Sequence, residues 1–314
     1  MKTYNKKLTM IITFKNEGDE VAKTCQSARE TAGDKIDIIV LNDASDDGFD
    51  YEESLKPYNV EYHYSSERLG TSRGREKCLE YCKTPYFIIM DGHCRFMTED
   101  WCDKAIAVMD KGEDCVYCCA CSYFSDEGIT STKGLGAYYD YSANQPLNCI
   151  WNIKKLSDEE FEVPCIFGAN YLCSMEWWKK IDGLKGLKLY GRDEPFLSRK
   201  SIMMGGKVKL IPQIWTLHKT RKNGFPYKVN WSECIYNDLA MIYILWPEMF
   251  NRVVKYFKKK YGQNTITTVL KDIIKDMNYL YGLQQYIAKN KKHDYEYVDR
   301  QNNEFIKKMQ DFQG

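Results

Sequence analysis

From Leu8 to Asp91 short apolar runs alternate with stretches of helical periodicity, and this alternation restricts the chain to a parallel sheet flanked by helices. The runs are LTMIITF, KIDIIVLND, VEYHYS and PYFIIMD, the last opened by Pro85 and closed by an acid. Residues 17–31 and 70–83 read as helices between them, and 48–56 as a loop or short helix. The expected fold is α/β, with a doubly wound, Rossmann-like sheet.

Beyond residue 91 the pattern is mixed. A helix is expected from about 99 to 111, a strand at VYCCACSYF and an irregular aromatic stretch from 134 to 164. A helix around MEWWKKI and a strand KVKLIPQIW that runs to His218 follow. From about 231 the periodicity is helical, through 235–261 and 265–289. The chain thus divides into an α/β domain over 1–230 and a helical C-terminal extension over 231–314, without an internal repeat.

With 45 Lys+Arg against 44 Asp+Glu, net charge selects no partner. The apolar run after Lys2, Lys6 and Lys7 is too short for a signal peptide, and Leu239–Trp246 falls well short of the roughly 20 residues that span a bilayer. No transmembrane segment is expected. The location is read as cytoplasmic, and the thirteen cysteines as free thiols. A zinc site at Cys115, Cys118, Cys119 and Cys121 would need a second ligand pair at suitable spacing, and none follows. These four read as small buried strand residues. Lys255, Lys258, Lys259, Lys260, Lys271 and Lys275 read as a solvated helix face, with an anionic membrane surface or a nucleic acid as the alternative contact.

Open α/β sheets bind ligands at the carboxyl ends of their strands, so chemistry is sought just after each apolar run. Strand one delivers Thr13, Asn16 and Glu17, strand two Asn42 and Asp43, and strand four Asp91, Gly92 and His93. A carboxylate and an imidazole flanking a glycine suit a divalent cation, and mixed oxygen and nitrogen ligation fits Mn²⁺. An aspartate ending a strand in a turn, with an exposed histidine, would leave the same tripeptide. His218 ends another strand and is one of only four histidines, so it could complete the site; Arg221 and Lys222 follow it as partners for a diphosphate or as a plain charge run.

Seven segments in order resemble the GT-A glycosyltransferases of family 2, and especially the polypeptide N-acetylgalactosaminyltransferases. They are ITFKNEG, IIVLNDASDD, SERLGTSRGRE (against RxGLxxAR), IIMDGHC (against FLDxHC), FGANYLCSMEWWKKIDGL, LYGRDEPFLSRKSIMMGG (against WGGENxExSFRxWxCGG) and HKTRKNGFPY (against HxFRxxxPY). The resemblance covers roughly residues 8–228 and implies a GT-A fold that transfers a sugar from a UDP-sugar to a hydroxyl. It implies Asp91, His93 and His218 as ligands of Mn²⁺ (or Mg²⁺). On the nucleotide side it implies Thr13, Phe14, Asn16, Glu17, Asp43, Arg68, Gly70, Arg73, Asp91, Gly92 and Arg221, the last on a loop reaching Tyr227. Beside the donor sugar it implies Gly168, Ala169, Asn170, Tyr190 and Arg192.

The chain departs from the family at Tyr190, Arg192, Asp193 and Glu194, where tryptophan, glycine, glutamate and asparagine are the pattern. Asp193 and Glu194 are the expected catalytic pair, one facing the sugar and the other structural; a helix N-terminus would also favour both acids. The acceptor is left open among a glycan, a protein and a modified DNA base. A sugar nucleotidyltransferase is the alternative enzyme class, but ITFKNEG lacks the glycine-rich loop such enzymes place after the first strand.

Overall fold

The computed structural model describes residues 6–140, 149–222 and 224–312. Part of the irregular stretch at 134–164, and Asn223 of the loop after His218, lie outside them. The expected opening is present: β1 (Leu8–Phe14), α1 (Glu20–Ala32), β2 (Ile36–Asp43), α2 (Tyr51–Leu55), β3 (Glu61–Ser65), α3 (Gly70–Tyr81) and β4 (Tyr86–Met90). β1 pairs in parallel with both β2 and β4, and β2 with β3, giving the order β4-β1-β2-β3. Val21, Cys25, Ala28 and Ala32 of α1, spaced four, three and four apart, form one buried stripe against the sheet.

The second half of the sheet is mixed. After β5 (Cys94–Phe96) and α4 (Trp101–Met109) come β6 (Cys115–Ser125), β7 (Gly128–Ile129), β8 (Ala137–Tyr139), β9 (Cys149–Trp151), β10 (Phe161–Glu162), β11 (Asn170–Ser174), α5 (Met175–Lys180), α6 (Asp193–Met203) and β12 (Lys207–Lys219). β11 lies antiparallel between β4 and β6, and β12 continues in parallel beyond β6. The order β10-β12-β6-β11-β4-β1-β2-β3 results, with β5 on β12 and β7 on β6; β8 and β9 pair separately. All four cysteines of β6 are buried in the sheet as free thiols.

Five helices follow: α7 (Trp231–Leu245), α8 (Phe250–Tyr261), α9 (Gln263–Lys275), α10 (Met277–Asn290) and α11 (Tyr295–Asp311). None is long and apolar enough to cross a membrane among the described residues. α7 buries eleven of its residues, including Leu239, Met241, Ile242, Ile244 and Leu245, and these join the apolar cluster that contains β1 and β4. α7, which opens the expected extension just after residue 230, is thus part of that core.

Candidate active site

The strand ends meet at one cavity of about 700 Å³. Asp91 follows β4 and is tied sideways, its N–H donating to Ala169 O at 3.0 Å just before β11. Gly92 packs where a side chain would press Phe14 and Val21, a Cβ there lying 3.2 Å from Phe14 Cβ. His93 precedes β5, whose antiparallel pairing sets Cys94 opposite His218, and Lys219 N–H donates to His93 O at 2.9 Å. Between Ile211 and Trp215 the register of β12 against β6 shifts, an irregularity at Pro212 of the kind prolines impose on strands. β5 is what brings two histidines 125 positions apart in number to ring centroids 4.5 Å apart.

Asp91, His93 and His218 each offer a ligand atom, all within 4.8 Å of one another. Asp91 Oδ2 lies 3.4 Å from His218 Nε2, and Glu17 Oε2 lies 3.3 Å from His93 Nδ1. His218 Nδ1 is buried without a hydrogen-bond partner among the described residues. One carboxylate oxygen and two imidazole nitrogens lining the cavity fit a divalent cation such as Mn²⁺.

Arg75 ties this cluster to the acids of α6. It is buried, and donates to Asp91 Oδ1 at 2.7 Å, to Asp193 Oδ2 at 2.6 Å and to Tyr171 Oη at 3.1 Å. Burial works to raise the Asp91 pKa, but the hydrogen bond with His218 and the charge of Arg75 outweigh it and hold the carboxyl well below the usual carboxylate range. Asp193 is 2 % exposed and committed to Arg75. Glu194 is half-buried and forms part of the wall of both the main cavity and a side cavity of about 310 Å³. Burial, reinforced by the charge of Asp193, pushes its carboxyl up to about 7. Both acids line the main cavity, and of the two only Glu194 also lines the side cavity.

The cavity walls include most of the expected residues: Thr13, Phe14, Glu17, Asp91, Gly92, His93, Tyr190, Arg192, Asp193, Glu194, His218 and Arg221. Gly168 and Ala169 line the side cavity with Tyr190 and Arg192. Gly168 leaves room there for the Glu194 carboxylate, since a Cβ would lie 2.3 Å from Glu194 Oε1 and displace it. Arg221 reaches Glu17 and lies 2.9 Å from His93 Nδ1. The loop after it is folded back over the cavity: Asn16 Nδ2 donates to Pro226 O, Arg68 donates to Lys228 O, and Tyr190 packs edge-on against Phe225.

Other expected residues are placed elsewhere. Arg73 is exposed on α3 and is not part of the cavity wall, because two helical residues turn the side chain by about 200° relative to Arg75. Arg75 is the residue that sequence reasoning missed; counting the eight positions of RxGLxxAR from Arg68 ends on it. Asn170 is fully buried and spends its amide on Cys119 N–H and Thr216 Oγ1, so it joins β11 to its neighbours rather than facing a sugar. Asp43 accepts from the N–H groups of Leu69 (2.5 Å) and Gly70 (2.8 Å), fixing the entry to α3. Gly70 itself allows the backbone of Leu189 to approach, a Cβ at 70 lying 2.1 Å from Leu189 Cα. Asn16 holds Asp46, and Arg68 sits over the Tyr227 ring at 5.1 Å.

Residues 9–177, just over half of the chain, match the sequence model of glycosyl transferase family 2. The chain belongs to glycosyl transferase family 2. Its matched segment is a glycosyltransferase domain whose mixed sheet has the GT-A fold, and the C-terminal helices follow it. Human polypeptide N-acetylgalactosaminyltransferase 14 is 22% identical over 230 residues, covering 70% of this chain and 41% of the human protein. The teichoic acid poly(glycerol phosphate) polymerase of Staphylococcus epidermidis is 29% identical over 89 residues, 27% of this chain and 12% of that protein. This family 2 chain therefore spans less than half the length of either curated relative. Among solved structures, GalNAc-T7 with UDP, GalNAc and Mn²⁺ superposes with a TM-score of 0.63 at 17% identity, covering 88% of this chain and 58% of that one. S. aureus TarS 1-349 in complex with UDP-GlcNAc gives 0.55 at 11% identity, covering 75% and 65%.

Proposed function

We propose that this family 2 enzyme moves a sugar from a UDP-sugar to a hydroxyl acceptor with the help of a divalent cation, Mn²⁺ or Mg²⁺. The observation that carries the reading is the convergence of Asp91, His93 and His218 beside Arg221 at the strand ends. UDP and Mn²⁺ bound to GalNAc-T7, and UDP-GlcNAc bound to TarS, support the choice of donor. A cation held by the three ligands supplies positive charge to a departing diphosphate.

The chain's own residues do the rest by placement and charge. Thr13 and Phe14 wall the nucleotide end, with the Asp43-fixed entry to α3 beside them. Arg221, resting on Glu17, exchanges that carboxylate for the diphosphate when donor enters. Arg75 holds Asp91 and Asp193 at fixed separation, so Asp193 is a positioning residue. Glu194, bordering both cavities, accepts the proton of the acceptor hydroxyl, for which a carboxyl titrating near neutrality is suited.

Thermal unfolding with UDP, in Mn²⁺ and in EDTA, tests the cation. UDP at a hundredfold excess over its Kd should stabilise by about 2.7 kcal/mol with Mn²⁺ and far less with EDTA; equal shifts would rule the cation out. A screen of nucleotide sugars for released nucleotide tests the donor. Glu194→Gln should lower transfer by roughly 10²-fold with UDP binding kept, and normal transfer in that variant would remove Glu194 from the chemistry.

A further inference from the structure

The segment Lys188–Arg192, which presents Tyr190 and Arg192 to the cavity and leads into Asp193 and Glu194, has a backbone that its own residues do not favour. Leu189 (φ 46°), Gly191 (φ 94°) and Arg192 (φ 75°) all lie in the left-handed region, and only the glycine does so without steric cost. Such a conformation persists where surrounding contacts impose it. Ser72 of α3 supplies one, its N–H donating to Leu189 O at 3.4 Å; among the described residues, the side-chain hydrogen bonds to this backbone come from α7.

Asn237, fully buried on α7, accepts from Lys188 N–H at 2.8 Å and donates to Lys188 O at 2.7 Å and Gly191 O at 2.8 Å, with Tyr190 O at 3.2 Å sharing a proton. Cys234, one turn earlier, donates its thiol to Tyr190 O at 3.5 Å. Asp238, 1 % exposed, grips the Arg192 guanidinium through two contacts, Nε to Oδ1 at 2.6 Å and Nη2 to Oδ2 at 3.0 Å. A carboxylate buried on an apolar helix is held only where a fixed partner exists, and here the partner is a residue of the cavity wall.

We propose that Asn237 and Asp238 are positioning residues of the transfer reaction. Together they hold 188–192 in the left-handed turn that aims Tyr190, Arg192 and Glu194 at the bound sugar, which makes the first C-terminal helix a working part of the donor site. The claim rests on the donor reading above for its effect on turnover, but not for its effect on the loop.

The test uses the full chain carrying Asn237→Ser or Asp238→Asn, with Asp238→Asn available should the first fail to fold. Two readouts are taken: amide hydrogen exchange across 188–194 and across β1 and β4, and turnover of a nucleotide sugar alongside UDP affinity in Mn²⁺. The expected result is exchange at least tenfold faster in 188–194 with β1 and β4 unchanged, a tenfold or greater fall in kcat, and UDP affinity within about twofold of the parent. Adding Leu189→Gly, which removes one steric objection to the turn, should restore part of the lost turnover of Asn237→Ser. Unchanged exchange in 188–194, or equal acceleration in β1 and β4, would overturn the proposal. A parent protein that turns over no nucleotide sugar would instead overturn the donor reading, and the exchange result alone would then decide the role of α7.

Discussion

Arg75 shows how much one side chain can determine. Its guanidinium lies between Asp91 and Asp193, both within 2.7 Å, so its loss leaves two carboxylates facing each other in a largely closed space. Arg75→Met should lower stability by about 3–5 kcal/mol in denaturant titrations, as expected when one partner of a buried ion pair is removed. Added Mn²⁺ should recover part of that loss by neutralising Asp91. Glu194 gives the opposite sign. Its carboxyl is raised to about 7 from an ordinary 4.5, so the folded state binds the extra proton between those values. Its contribution to stability is therefore complete below about pH 4.5 and disappears as pH rises through 7. Glu194→Gln should accordingly be more stable than the parent at pH 8, by about 1–3 kcal/mol, with the gap closing at pH 4.5. Transfer by the parent should rise with pH through 7, and the amide variant should lack that rise. Gly168→Ala tests the same carboxylate from outside: its methyl would displace Glu194 Oε1, and turnover should fall at least tenfold with UDP binding intact.

At the scale of elements, the parallel half was legible because β1, β2 and β4 are short, mostly apolar runs followed by polar residues, and the helix after β1 carries a clean stripe of Val21, Cys25 and Ala28. β5 and β11 were not. Three residues, CRF, show no period, and NYLCS is short enough to merge with the helix after it. Yet these two place Asp91 against Ala169 and His93 against His218, so the sequence named three residues that converge while the reason for their meeting could not be read from it. Arg73 was taken for Arg75 through register alone, and Asn170 was assigned to a sugar by resemblance of the FGAN segment, which gives no sign that its amide is used inside the sheet. The loop from Arg221 to Tyr227 packs on Asn16, Arg68 and Tyr190 at its far end. Arg221→Ala removes its charge without opening those contacts. Steady-state kinetics should show turnover reduced tenfold or more, with a melting temperature near that of the parent.

For the whole molecule, the continuity of the core across residue 230 has a consequence for inheritance and engineering. Leu239, Ile242 and Leu245 of α7 belong to the same apolar cluster as Ile11 and Ile88. A chain stopped at residue 230 should therefore expose that surface and fail to give a cooperative melting transition by circular dichroism. The same continuity means that the C-terminal helices cannot be exchanged as a cassette. Grafting those of another family 2 protein onto residues 1–230 would replace Asn237 and Asp238 with whatever that protein carries, and Arg192 would meet a stranger. Chimaeras made at this junction would lose the handling of the donor before they acquired any new acceptor, so diversification of this enzyme has to pass through paired changes on both sides of the seam.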